Sequence, residues 1–206
     1  MANLEYGIPN TPATIFYAAS VSKQFTGYCI ALLARQGKIN IDEDIHIYLP
    51  WMFDFKKRIT VRNLLNHTSG IRDDVDLAAI SGLGIDGVLT QQSALDIIKK
   101  QQTLNFDPGE RYSYSNSNYI LLAEIVKAIS GQSFRDFADS AIFKPLGMAN
   151  SHFHDDPGEL IRDRAISYWD VGDQSFVNAF QNVYTFGDGG LFTNVNDLSK
   201  WIMNFY

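Results

Sequence analysis

A chain of 206 residues with 46% hydrophobic side chains can bury a core and form one compact domain or two closely packed halves. Seventeen basic against 23 acidic side chains leave a net charge of −6, which argues against a nucleic-acid partner, because such a partner needs a basic stripe. No run of about 18 apolar residues is available to span a membrane, and the single cysteine, Cys29, excludes an internal disulfide.

The opening MANLEYGIPNTP has neither the basic start nor the apolar core of a signal peptide, which leaves the compartment open. Residues 14–19 read as a short extended entry. A helix is expected from Ser20 to Gln36, with Phe25, Tyr28, Cys29, Leu32 and Leu33 at helical spacing and Gly37 as its stop. Cys29 inside that apolar face reads as a buried, inert thiol. Residues 41–58 form a turn-rich connection. Thr60 is expected to cap a short helix through Asn66 that turns Val61, Leu64 and Leu65 inward.

A third helix is expected over 92–102, amphipathic through Leu95 and Ile98, and Asp107-Pro108-Gly109 signals a turn. Asn116 to Ser130 reads as a helix closed by Gly131. Ser133 with Asp136 resembles a capping box that opens a helix ended by Pro145. Residues 151–160 read as loop, and alternation at 163–170 and 175–180 predicts strands. Gly187-Asp188-Gly189-Gly190 marks a turn or a close backbone approach. Thr193 is expected to cap a last helix with Leu198, Trp201, Ile202 and Phe205 on one face, running to Tyr206 without a stop signal. Helical periodicity thus clusters in the middle. It predicts an α+β fold in which 59–157 form a mostly helical subdomain, while 1–58 and 158–206 pack together as an α/β half.

Two short patterns carry chemistry. Ser20 and Lys23 lie three apart, which on a helix puts them on one face about 5–6 Å apart. A serine hydroxyl becomes a nucleophile when a base takes its proton, and a lysine can serve if its surroundings make it neutral. Yet S-x-x-K arises by chance roughly 0.7 times in a chain of this composition, and Ser20 could equally be an N-cap beside a solvated lysine. Tyr114 precedes the 116–130 helix and can relay a proton through its hydroxyl, while the Asn116 amide offers both donor and acceptor to a substrate amide. Here too a bland alternative stands, in which Asn116 or Ser117 caps the helix and Tyr114 packs.

Together, and in this order, these segments resemble the serine β-lactamase and penicillin-binding-protein superfamily, on the branch of class C β-lactamases, related esterases and D-amino-acid peptidases. Ser20-Val21-Ser22-Lys23 is similar to its first motif, and Phe106 through Asn116 to its F-x-P-G…Y-S-N segment. Leu64 through Ile71 is similar to its L-L-x-H-T-S-G-I segment, Pro145-Leu146-Gly147-Met148 to its P-L-G-M turn, and Gly189 through Leu198 to its G-G-L-x-S/T…D-L segment. The resemblance implies a β-lactamase/transpeptidase-like fold and attack on a carbonyl by Ser20. Lys23 and Tyr114 would handle protons, Asn116 would position the substrate, and water would release an acyl-enzyme. The substrate would be a β-lactam, an ester or a D-amino-acid peptide, with no cofactor and no metal, in a periplasmic or extracellular setting.

The resemblance gives His67 a structural role, although in a Ser-His hydrolase it would be the base. His152 and His154 flank Phe153 and would share one face of a strand, but with no third cluster of ligands they are expected in a solvated loop. There is no G-x-S-x-G elbow. The family's third motif, K-T-G or H-x-G, has no counterpart here, and the strands before the first motif are absent or short. The expectation is therefore a truncated chain that self-associates through an exposed sheet edge and is a poor catalyst alone. The competing reading is a catalytically silent binding or scaffold protein, or an incomplete fragment, on the same fold.

Overall fold

The computed structural model describes residues 1–83, 87–173, 175–179 and 181–206. Its spine is a pair of helices. Helix α1 (Ser22–Arg35) turns Phe25, Cys29, Ile30 and Leu33 into the core and packs on α5 (Asn116–Ser130). In α5 the six residues Ile120, Leu121, Leu122, Ala123, Ile125 and Val126 are all fully buried, the sign of a helix enclosed on every side. Packed around it are α2 (Val61–Leu65), α3 (Asp74–Ile80), α4 (Gln91–Lys99) and α6 (Phe134–Ala138). On the other flank of α1, α7 (Val195–Met203) inserts Trp201, whose ring stacks on Phe25 at 4.2 Å between centroids.

One three-stranded antiparallel sheet lies beside this pair. Its order is β1 (Phe16–Tyr17), β7 (Leu191–Thr193), β3 (His152–Phe153), with Phe16 opposite Thr193 and Phe153 opposite Leu191. Among the described residues there are two smaller pairs: β2 (Leu89–Thr90) runs parallel to β6 (Val183–Tyr184), and β4 (Tyr168–Gly172) is antiparallel to β5 (Ser175–Asn178). The mixed α and β content is as the sequence predicts.

Several helix ends follow the expected chemistry. The Thr60 hydroxyl accepts from the Asn63 N–H while the Asn63 side chain returns a bond to the Thr60 N–H, and Gly131 closes α5 in the left-handed conformation at φ +71°. Others differ. The first helix is entered through a tighter 3-10 turn, Ala19–Val21, so Ser20 sits before the α-helix proper. Helix α4 stops at Lys99, and the helix after Ser133 changes at Asp139–Phe143 into a wider π turn before Pro145. Asn194 caps α7 in place of Thr193, because its carboxamide reaches the Asp197 N–H while Thr193 is still paired in β7. Along that helix Trp201 is buried, but Ile202 and Phe205 are 56% and 60% exposed, so the apolar face is narrower than the spacing implies.

Residues 151–160 are not all loop. His152 and Phe153 form a sheet edge, because Phe153 fills the core at 0% exposure and the ladder continues through the His154 N–H to the Gly190 carbonyl. The strand expected over 163–170 begins only at Tyr168, and of the second expected strand Phe180 lies outside the described residues. Cys29 is buried as expected, and that burial pushes its thiol well above the ordinary range.

Candidate active site

The 3-10 turn and the first turn of α1 carry Ser20 and Lys23, while Tyr114 lies just before α5 and Asn116 begins it. These four residues meet in one hydrogen-bond network, although Ser20 and Tyr114 lie 94 positions apart in sequence. Ser20 Oγ is 2.7 Å from the Tyr114 hydroxyl and 3.1 Å from Lys23 Nζ. Lys23 Nζ also donates to Asn116 Oδ1 at 2.9 Å and to the Asp188 carbonyl at 2.7 Å. The lysine is 8% exposed, with its Nζ 4.8 Å from the Tyr114 ring centroid, whereas Ser20 and Tyr114 are open to solvent.

Backbone geometry sets the position of Ser20. Ala19 holds φ at +43°, a left-handed conformation costly for a residue with a Cβ, and this kink turns the chain from β1 into the helix. The 187–191 loop is bound to α1 at two further points: Thr26 Oγ1 donates to the Gly187 carbonyl at 2.7 Å, and Ser22 Oγ accepts the Leu191 N–H at 3.1 Å. Gly187 is required there. It lies at φ +94°, and a Cβ would come within 2.6 Å of the Tyr119 carbonyl oxygen and of the Ala123 Cβ. The close backbone approach expected of the glycine-rich segment is what delivers the Asp188 carbonyl to Lys23.

On the opposite wall, Asp73 accepts from the Val75 and Asp76 N–H groups through Oδ1 and from the Asn116 N–H through Oδ2. One carboxylate thus serves the N-termini of two helices, where free N–H groups and the helix dipole favour negative charge. Sequence reasoning missed Asp73 and α3, although an aspartate before further acidic residues is an N-terminal signal.

His67 lies behind Tyr114. Its Nδ1 accepts from the Ser115 N–H at 3.2 Å, and since a backbone N–H can only donate, the neutral ring carries its proton on Nε2. Burial, and then the charge of Lys23, hold its pKa below the ordinary histidine value. The ring makes no bond to Ser20 among the described residues; it supports Tyr114 and the turn before α5.

Two buried carboxyls stand beneath the network. Asp74 is pushed up to about 7, first by burial and then by the charges of Asp188 and Asp73. Asp188 is raised by burial, an effect that Lys23 offsets in part. Among the described residues, each has an oxygen without a hydrogen-bond partner, Asp74 Oδ2 and Asp188 Oδ1. The expectation of a solvated loop at His152 and His154 is also corrected: His154 is 1% exposed and both rings clasp Phe192.

A buried lysine one turn from a serine, joined to a tyrosine and an asparagine at the mouth of a helix-rich α/β fold, defines the β-lactamase and penicillin-binding-protein type. The family model described as Beta-lactamase matches residues 1–205, and the chain belongs to that family. D-aminopeptidases from Gluconobacter oxydans and Brucella anthropi are 31% and 32% identical to it over 201 residues, 97% of this chain in each case. The chain spans 37% and 38% of the length of those two relatives. Among solved structures, the octameric penicillin-binding-protein homologue from Pyrococcus abyssi superposes with a TM-score of 0.83 at 28% identity, over 98% of this chain and 47% of that one. The D-amino acid amidase from Ochrobactrum anthropi SV3 complexed with D-phenylalanine gives 0.80 at 26% identity, over 97% of this chain and 58% of the amidase. No helix among the described residues is long and apolar enough to cross a membrane.

Proposed function

We propose that this chain carries the acyl-transfer centre of a serine hydrolase, with Ser20 as nucleophile and Lys23 as its base. Tyr114 relays the proton to the leaving group, and Asn116 fixes the lysine and one edge of the substrate. The observation that carries this reading is the set of partners around Lys23 Nζ. Two of them, Asn116 Oδ1 and the Asp188 carbonyl, can only accept. A neutral amine has two hydrogens for those two acceptors, which leaves its lone pair facing the Ser20 hydroxyl. The ammonium formed after proton transfer places its third N–H on the same Ser20 oxygen. One geometry therefore fits the lysine before and after it takes the proton, which is what a general base needs.

The steps follow from this placement. Ser20 loses its proton to Lys23 as Oγ bonds to the substrate carbonyl carbon. The proton passes by way of Tyr114, 2.7 Å from Ser20, to the departing nitrogen or oxygen. Water then repeats the sequence on the acyl-enzyme. The relatives' names favour a D-amino-acid peptide or amide over a β-lactam or an ester as the substrate of the whole protein. Self-association belongs to the same reading, supported by the octameric neighbour.

Intact mass after incubation with a fluorophosphonate, on this chain and on the full-length gene product, tests the centre. One adduct, mapped to Ser20 and absent in Ser20→Ala, is expected. A folded full-length protein that gives no adduct and releases no amine from D-amino-acid amides would overturn it in favour of a silent scaffold.

A further inference from the structure

The edge strand β3 lies on the far side of the sheet from β1 and holds a group of side chains that the proposed chemistry does not use. His152 and His154 project from the same side of the chain, since Phe153 between them points into the core. Among the described residues, each histidine has a buried ring nitrogen with no hydrogen-bond partner, Nε2 of His152 and Nδ1 of His154. Buried polar atoms are seldom left unpaired, and such a pair on one side of a strand points to a ligand. Glu159 lies beside them. One ligand atom from each of His152, His154 and Glu159 lies within 4.8 Å of the others. The separation of His154 Nδ1 and Glu159 Oε2 is 3.7 Å, too long for a hydrogen bond. It is close to the roughly 3.4 Å that separates two ligand atoms of a tetrahedral zinc ion with bonds of about 2.0–2.1 Å.

We propose that His152, His154 and Glu159 form a binding site for a divalent transition-metal ion, zinc above all. Two imidazoles and a carboxylate are the donor set that such ions prefer over magnesium or calcium, which take oxygen. The surroundings are built to hold it. His154 is fixed in the ladder by its N–H to the Gly190 carbonyl, and both rings lie against Phe192, His152 stacked and His154 edge-on. Glu159 is oriented by Arg135, which donates to Oε2 at 2.6 Å and to Oε1 at 2.9 Å. Arg135 also donates to Asp155 at 2.9 Å, so two carboxylates balance the guanidinium beside the incoming cation. On binding, Glu159 keeps Arg135 on Oε1 and turns Oε2 to the metal, the carboxylate counterpart of the hydrogen-bonded ligands seen in metal sites generally. Solvent takes the fourth position. The ion would tie the 155–159 segment to the central sheet, at a place separate from Ser20.

The untagged chain, stripped with chelator and dialysed against zinc, tests this by metal analysis, by titration calorimetry and by the visible spectrum of its cobalt(II) form. One equivalent of zinc, a four-coordinate cobalt spectrum and a zinc-dependent rise in unfolding temperature are expected. His152→Ala and Glu159→Gln change side chains that are only partly buried, so both variants should fold, and each should lower zinc affinity at least about tenfold. His46→Ala, a histidine bonded to Asp44 elsewhere, should leave it unchanged. Absence of stoichiometric zinc, or stoichiometric zinc that survives both substitutions, overturns the proposal and assigns the orphaned nitrogens to water.

Discussion

The His67 ring lies stacked on Tyr114, 4.5 Å between centroids at 29°, while its Nδ1 accepts the N–H of Ser115, the next residue along. A histidine that is not bonded to Ser20 therefore sets both the face and the backbone of the tyrosine that is. His67→Ala should lower stability by about 1–3 kcal/mol, the cost of a buried N–H left unpaired. It should slow Ser20 acylation by up to about a hundredfold through misplacement of the tyrosine hydroxyl. His67→Asn, which can still accept from Ser115, should recover stability more fully than rate. Thermal unfolding and fluorophosphonate labelling rates read the two effects separately.

Ser20 and Lys23 act as one unit in the proposed mechanism. Ser20→Ala should abolish acylation and Lys23→Ala should nearly do so, with the double variant little worse than either alone. Losses that simply multiply would show that Lys23 serves binding only. Because Lys23 is buried and makes three hydrogen bonds, circular dichroism of each variant should accompany the rates.

The buried carboxyl of Asp74 gives stability a pH dependence opposite to that of an ordinary paired aspartate. Its folded value of about 7 exceeds the 3.8 of the unfolded chain, so between those values the folded state holds the proton more tightly. This contribution is fully present below pH ~4, declines as pH rises towards 7 and is absent above, with an upper bound of roughly 4 kcal/mol. Asp74→Asn should remove most of that decline. Urea denaturation at pH 5 and pH 8 would show it, and an unchanged difference between the two pH values would count against the raised value.

Gly187→Ala should be costly although it adds one methyl group. The residue is held at φ +94°, and the new Cβ would meet the backbone of α5 at Tyr119. Strain and overpacking together should destabilise by about 2–4 kcal/mol. If the chain relaxes, the Asp188 carbonyl withdraws from Lys23 and acylation slows as well.

What could be read in the sequence divides along the length of the interactions. The Ser20–Lys23 pair is a one-turn relation, and the caps at Thr60, Ser133 and Gly131 are local; each is visible in a few residues. The meeting of Lys23 with Tyr114 and Asn116 depends on α1 packing against α5, and only the ordered resemblance of whole segments joins them. The Asp188 carbonyl was out of reach altogether, because a backbone oxygen 165 positions away leaves no mark in side-chain pattern. Strand β3 escaped for a different reason: two residues of alternation are too few to announce a strand, and its pairing is decided by Phe192 and Leu191. The seven residues of α3 were similarly too short for periodicity, although Asp73 marked their start.

The left-handed Ala19 has a consequence for anyone who tries to make this protein more robust. Glycine accepts that backbone conformation freely, so Ala19→Gly would relax it and could register as a gain of up to about 1 kcal/mol in a thermal screen, were the unfolded chain not also loosened. The same change would leave the hinge before Ser20 free to swing, blurring an orientation that the methyl group now holds to a single solution. A library selected on heat tolerance alone would have no reason to reject it; one selected on turnover would.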